Sequence, residues 1–173
     1  MTTVSSFSPS LYAARAPAAA TLNDISIEDA LKAVRLRRNV RVNIVDSVSN
    51  IKKYLGALNG IANNLGTIAQ STSDTSTDTL VVLTADQYAN SGKVLAKLDA
   101  GSVSYKLSLS GVTAAAAIAY NANTRVQTIS VNDSTANIVS NIAGLKGVLD
   151  NGKLGTITQS GAVTPIALTR ASY

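Results

Sequence analysis

Apolar and polar residues alternate over Val40-Arg41-Val42-Asn43-Ile44-Val45 and over Val103-Ser104-Tyr105-Lys106-Leu107-Ser108-Leu109. A period of two predicts strands at both places, and Val126 to Val131 reads as a further strand. Leu65 to Ala69 and Leu80 to Leu83 are apolar runs of strand length. Between these segments the period lengthens. Val48, Ile51, Leu55, Leu58, Ile61 and Leu65 fall on one face of a helix. Ser26-Ile27-Glu28-Asp29 opens another helix, with a capping residue and acids in its first turn; it runs into the basic stretch Arg35 to Arg38. Asp46 or Ser47 is placed to cap the helix from Val48, and Thr84 to cap a single helix from Ala85 to Leu98. Thr113 to Tyr120 predicts a short Ala-rich helix, and Ser71 to Thr79 a polar loop.

The pattern then repeats. Asp133-Ser134-Thr135-Ala136-Asn137-Ile138 answers Asp46-Ser47-Val48-Ser49-Asn50-Ile51 at an offset of 87. Leu55, Leu58 and Ile61 answer to Ile142, Leu145 and Val148 at the same offset. Leu65-Gly66-Thr67-Ile68 recurs as Leu154-Gly155-Thr156-Ile157, and Leu83-Thr84 with Tyr88 recurs as Leu168-Thr169 with Tyr173 at an offset of 85. Strand–helix alternation of this kind predicts an α/β fold with parallel strands covered by helices, in the form of a short solenoid-like repeat. One full unit occupies about 40–125; partial units occupy 22–39 and 126–173, and together they are read as one α/β repeat domain, 22–173.

Residues 1–21 differ in composition: they hold Ser5, Ser6, Ser8, Ser10, Pro9, Pro17 and Ala18-Ala19-Ala20, with Arg15 the one charged side chain. Such a segment cannot build a core of its own. It reads as a flexible tail, as an uncleaved secretion address, or as a segment donated to a partner. The phase of the repeat supports the last reading. The second unit reaches Tyr173, the counterpart of Tyr88, and the part then wanting, Ala89 to Arg125, is matched in length by Met1 to Asn39. The end of one copy and the beginning of the next would therefore make a complete unit. A heterologous contact of this kind gives rings or filaments. The residues expected at the interface are Phe7, Leu11, Tyr12 and Leu22 on the donor side, and Leu154, Ile157, Ile166, Leu168 and Tyr173 on the acceptor side.

Composition narrows the chemistry. The chain has 173 residues, 46% hydrophobic and 14% charged, so its surface depends on Ser, Thr, Asn and Gln for solvation. With no Trp and only Phe7, its core must be aliphatic. The absence of Cys and His removes disulfides, thiolate chemistry, the usual zinc ligand sets and His-based acid–base catalysis. Glu28 is the single glutamate. No enzyme, catalytic residue, metal site or cofactor is therefore expected. No apolar run approaches the roughly 18–20 residues of a membrane span, and no basic start precedes an apolar stretch as in a Sec-type signal peptide.

Ile129-Ser130-Val131-Asn132-Asp133-Ser134-Thr135-Ala136-Asn137-Ile138, Leu83-Thr84-Ala85-Asp86-Gln87-Tyr88 and Ser108-Leu109-Ser110-Gly111-Val112-Thr113-Ala114-Ala115 resemble the tandem strand–helix repeats of very large bacterial secreted and cell-surface proteins. The resemblance covers roughly Ser26 to Tyr173. It implies export, an extracellular or cell-surface location, and a structural or adhesive role. The Gly/Asp-rich calcium nonapeptides that often accompany those repeats are missing.

Two functions follow as expectations. One is a self-assembling structural protein whose partners are copies of itself. The other is an adhesin or binding module that holds an anionic glycan or cell-surface polymer through Lys32, Arg35, Arg37, Arg38 and Arg41, a cluster drawn from a chain of net charge +5. Those cations also suit a helix C-terminus. With no aromatics among them, nucleic-acid binding is not expected. Asp74 and Asp78, among Ser71, Thr72, Ser73, Thr75, Ser76 and Thr77, could offer oxygen ligands for calcium, but the spacing fits no EF-hand or nonapeptide motif, and a solvated loop is the favoured reading. Asp46 and Asp133 could be paired carboxylates; their equivalent places before a helix point instead to N-caps. Gly56 and Gly60 suggest close helix packing.

Overall fold

The computed structural model describes residues 19–37, 39–75, 77, 79–161 and 165. Along the chain run β1 (Ala20–Ile25), α1 (Ile27–Leu36), β2 (Val40–Asp46), α2 (Val48–Gly60), β3 (Leu65–Gln70), β4 (Leu80–Thr84), α3 (Ala85–Asn90), α4 (Gly92–Ala100), β5 (Lys106–Val112), α5 (Ala114–Tyr120), β6 (Val126–Asp133), α6 (Thr135–Ser140), α7 (Ile142–Asp150) and β7 (Leu154–Gln159). All pairing is parallel, in one sheet ordered β1-β2-β3 and another ordered β4-β5-β6-β7. The fold is α/β, as the alternation of periods predicts.

Strand order follows chain order in both sheets. Crossovers that advance in one direction and share one hand set their helices on the same face. Burial agrees. Val40, Val42 and Ile44 of β2 are buried, whereas Arg41 between them is exposed; Leu107 and Leu109 of β5 alternate with half-buried Ser108 and Ser110. Parallel sheets usually have both faces covered. Here one face packs against helices and the other carries Thr21, Asn23, Arg41, Val82, Ser108, Ser110, Thr128 and Thr156, of which Val82 is 66% exposed.

The core is one aliphatic cluster, with Ile44, Leu58, Ile68, Leu98, Leu109, Ile129 and Leu145 among its most buried members. Tyr105 is the buried aromatic residue within it. Helix starts are fixed locally: Ser26, Ser47, Thr84, Thr113 and Ser134 each accept the backbone N–H three residues on. The Thr84 N–H donates in return to the Gln87 side-chain carbonyl, which completes a capping box.

Equivalent strands pair in equivalent register. Leu22 opposite Val42 and Ile25 opposite Ile44 become, 87 residues later, Leu109 opposite Ile129 and Val112 opposite Val131. A bulge interrupts both pairs at the same place, where Asp24 and Gly111 share a positive φ. Likewise Val42 opposite Leu65 and Ile44 opposite Ile68 become Ile129 opposite Leu154 and Val131 opposite Ile157.

Several expectations need correction. Ala85 to Leu98 is two helices, not one. Ser91 Oγ donates to the Gln87 carbonyl at 2.6 Å, and Gly92 follows it, so the first helix stops there. The segment after Ser134 also breaks, at Asn141. β1 begins at Ala20, so Ala20 and Thr21 of the expected tail lie in a strand. Gly56 and Gly60 face open space and mark no close contact. Close approach occurs at Gly101, against the backbone of Ile68, and at Gly144, against Ile118.

Candidate functional site

The two aspartates at the ends of β2 and β6 are clasps. Asp46 Oδ2 accepts the Ile27 N–H at 2.9 Å, and its Oδ1 accepts the Ser47 N–H at 2.8 Å and the Asn50 side-chain amide at 2.7 Å. Asp133 repeats this with Ala114 at 2.9 Å, Ser134 at 2.8 Å and Asn137 at 2.8 Å. Each carboxylate thus ties the first N–H of one helix to the start of the next. This corrects the expectation of N-caps: the caps are Ser47 and Ser134, one residue on, and the aspartates bridge two helices.

The hydrogen bond from Asn137, then those from Ala114 and Ser134, hold the Asp133 carboxyl below the usual carboxylate range against the opposing effect of burial. A depressed folded value stabilises the fold above the unfolded value of about 4, and that contribution is lost as pH falls through the folded value. Asp133→Asn is expected to cost about 1 kcal/mol at neutral pH. It should also flatten the loss of stability on the acid side. Urea melts at several pH values would show both; an unchanged acid limb would contradict the clasp.

The basic residues divide between layers. Lys32 is exposed on α1 and lies 3.7 Å from Asp29. Arg35 is exposed beside a groove with Leu31, Ala57 and Ile61, and Arg37 is the C-cap of α1. Arg41 projects from the opposite, uncovered face of β2, over Gly66 and next to Asn43. Arg38 lies outside the described residues. Asp74, considered for calcium, accepts the Val48 N–H at 2.7 Å at the start of α2; Ser76 and Asp78 lie outside the described residues. Among the described residues no three His, Cys, Asp or Glu side chains gather as metal ligands. No described helix is long and apolar enough to cross a membrane. A half-open cleft of about 640 Å³ lies between α2 and β4, with Lys52, Lys53, Asn59 and Gln87 among its polar lining.

Of the expected interface residues, the described ones, Leu22, Leu154 and Ile157, fall in β1 and β7 at the outer edges of the sheets. α4, which follows β4, packs on β3; β3 and β4 are therefore the inner edges, and β1 and β7 the outer ones. Leu22 is half-buried in β1, whereas its counterpart Leu109 is fully buried. Leu154 opens β7 half-buried, and Ile157 is 41% exposed although its counterpart Ile68 is 0% exposed. The cover over Ile68 comes from α4, whose Val94 and Leu98 are fully buried, and from the turn at Gly101. Phe7, Leu11, Tyr12, Ile166, Leu168 and Tyr173 lie outside the described residues. Sequence reasoning missed Ile25, half-buried in β1 where its counterpart Val112 is fully buried; the offset of 87 would have found it. Comparison with protein-family models, curated proteins and solved structures finds no match.

Proposed function

We propose that this chain is a structural protein that assembles head to tail, each copy continuing the repeat of the one before as one more segment of a short α/β solenoid. The carrying observation is the contrast between Ile157 and Ile68. The two occupy the same register against β6 and β2, yet one is 41% exposed and the other fully buried. The helix that covers Ile68 has a counterpart in sequence. At the offset of 87, Val94 and Leu98 fall on Phe7 and Leu11. Pro9 and Ala14 stand where α4 and its turn have Ala96 and Gly101; in the proposed assembly this segment of one copy would cover β7 of its neighbour without following the course of α4. Apolar side chains at the open end of a repeat array need a cap or a neighbour. Export to the bacterial surface belongs to the same proposal and rests on the sequence resemblance.

Light scattering on the purified chain at micromolar concentration tests this, with circular dichroism to follow folding. Oligomers are expected for the wild type. The double variant Phe7→Ser, Leu11→Ser should be a folded monomer. A wild type that stays monomeric would overturn the reading, as would a double variant that assembles unchanged.

A further inference from the structure

The outer edge of β1 is a second unfilled place, and its geometry is already drawn elsewhere in the molecule. β1 corresponds to β5 at the offset of 87, down to the bulge at Asp24 and Gly111. On the side away from β6, β5 pairs with β4: Val81 opposite Leu107, Val82 opposite Ser108, Leu83 opposite Leu109 and Thr84 opposite Ser110. On the side away from β2, β1 has no strand among the described residues. Its inward residues show what is missing, since Leu22 and Ile25 are half-buried and Leu109 and Val112 fully buried. An unpaired parallel edge with apolar residues on its inner face accepts a strand.

The chain contains a counterpart of β4. Ile166-Ala167-Leu168-Thr169 matches Val81-Val82-Leu83-Thr84 at the offset of 85, with apolar residues at both buried positions. Pro165 stands at the place of Leu80, the first residue of β4, a position that tolerates proline in a strand. The seven steps from Gln159, the end of β7, to Ile166 span at most about 25 Å. With the two sheets in line, a strand added beyond β1 stands seven spacings, about 34 Å, from β7. The run is therefore too short to cross from β7 to β1 within one molecule.

We infer that Ile166 to Thr169 of a second copy adds to the free edge of β1 as a parallel strand, with Leu168 opposite Leu22 and Thr169 opposite Asn23. This rests on the head-to-tail reading and assigns its second contact. The donated strand would bury Leu22 and Ile25, while the side chains of Asn23 and Thr169 would stand together on the uncovered face of the sheet. Residues paired across neighbouring strands are close enough for a disulfide.

The absence of native cysteine makes the test clean. Asn23→Cys protein is mixed with Thr169→Cys protein under mild oxidation, and coupling is followed on non-reducing gels. The control pairs Asn23→Cys with Ala167→Cys, two residues out of register. The in-register mixture should couple about tenfold faster than the control, because docking raises the local thiol concentration. Chains carrying both Asn23→Cys and Thr169→Cys should form a covalent ladder. Light scattering on the wild type runs alongside. Assembly without in-register coupling overturns the strand addition and leaves the head-to-tail reading standing. A monomer overturns both. A disulfide within single chains, with no ladder, overturns the second copy as the source of the strand.

Discussion

Leu58→Ala and Leu145→Ala are each expected to lower stability by about 2–5 kcal/mol, the range for removing a buried leucine. Leu58 is 0% exposed on α2 and Leu145 is 1% exposed on α7, at equivalent places in the repeat. Both belong to a core with little aromatic mass to close over a void. The two sites should differ within that range. α7 approaches α5 so closely at Gly144 that an added methyl would meet Ile118 at 2.3 Å; a cavity beside so tight a contact has less room to collapse. α2 has open space at Gly56 and Gly60. Denaturant unfolding of each variant gives the measurement. A loss below about 0.5 kcal/mol at both, as for surface substitutions, would contradict the helix-face assignment.

Gly101→Ala is the second large effect. A methyl group at this position would lie 1.7 Å from the Ile68 carbonyl oxygen and 2.8 Å from its carbon. Both are backbone atoms of a strand, so no side chain can rotate away. The turn after α4 would have to withdraw from β3 and take Val94 and Leu98 with it. The expected cost is about 3 kcal/mol, the upper part of the usual range for overpacking. Gly56→Ala supplies the contrast. It adds a methyl to a helix where nothing lies within 4 Å, and should raise stability by about 0.5–1 kcal/mol through helix propensity. Thermal unfolding of the pair separates crowding from backbone entropy; equal effects of one sign would show that the contact at Ile68 does not constrain the turn.

The alternation in Val40 to Val45 and the helical face from Val48 to Ile61 were legible because each spans enough residues to repeat its period. β1 was not. It has six residues, its alternation breaks at Asp24, and its first two belong to a run of alanine and threonine that resembles the tail before it. The comparison with Lys106 to Val112 held the missing signal, since Leu22, Asp24 and Ile25 fall on Leu109, Gly111 and Val112. The breaks at Ser91 and Asn141 leave the apolar spacing almost intact and so give no mark in periodicity. The clasps were half legible. The sequence Asp-Ser-x-x-Asn shows the local bonds, but the N–H groups of Ile27 and Ala114 lie 19 residues upstream and reach the carboxylates only through folding. The exposure of Ile157 cannot be read from its own segment, only from the phase of the repeat around it: Leu154 to Ile157 differs from Leu65 to Ile68 in no residue, and only the neighbouring elements differ.

The gap in strand order between β3 and β4 bears on how the chain folds and opens. Every described strand pair joins strands adjacent in sequence, with partners such as Leu22 and Val42 twenty residues apart. Contacts this local close small loops and favour fast folding. No ladder crosses from β3 to β4, so β1 to β3 and β4 to β7 are hydrogen-bonded as two groups, joined through the shared core and the packing of α4 on β3. Amide exchange is expected to show separate openings of the two groups, each with its own free energy below that of global unfolding. The contact of Gly101 with Ile68 then acts as a coupling element, setting how far an opening in one group is felt in the other.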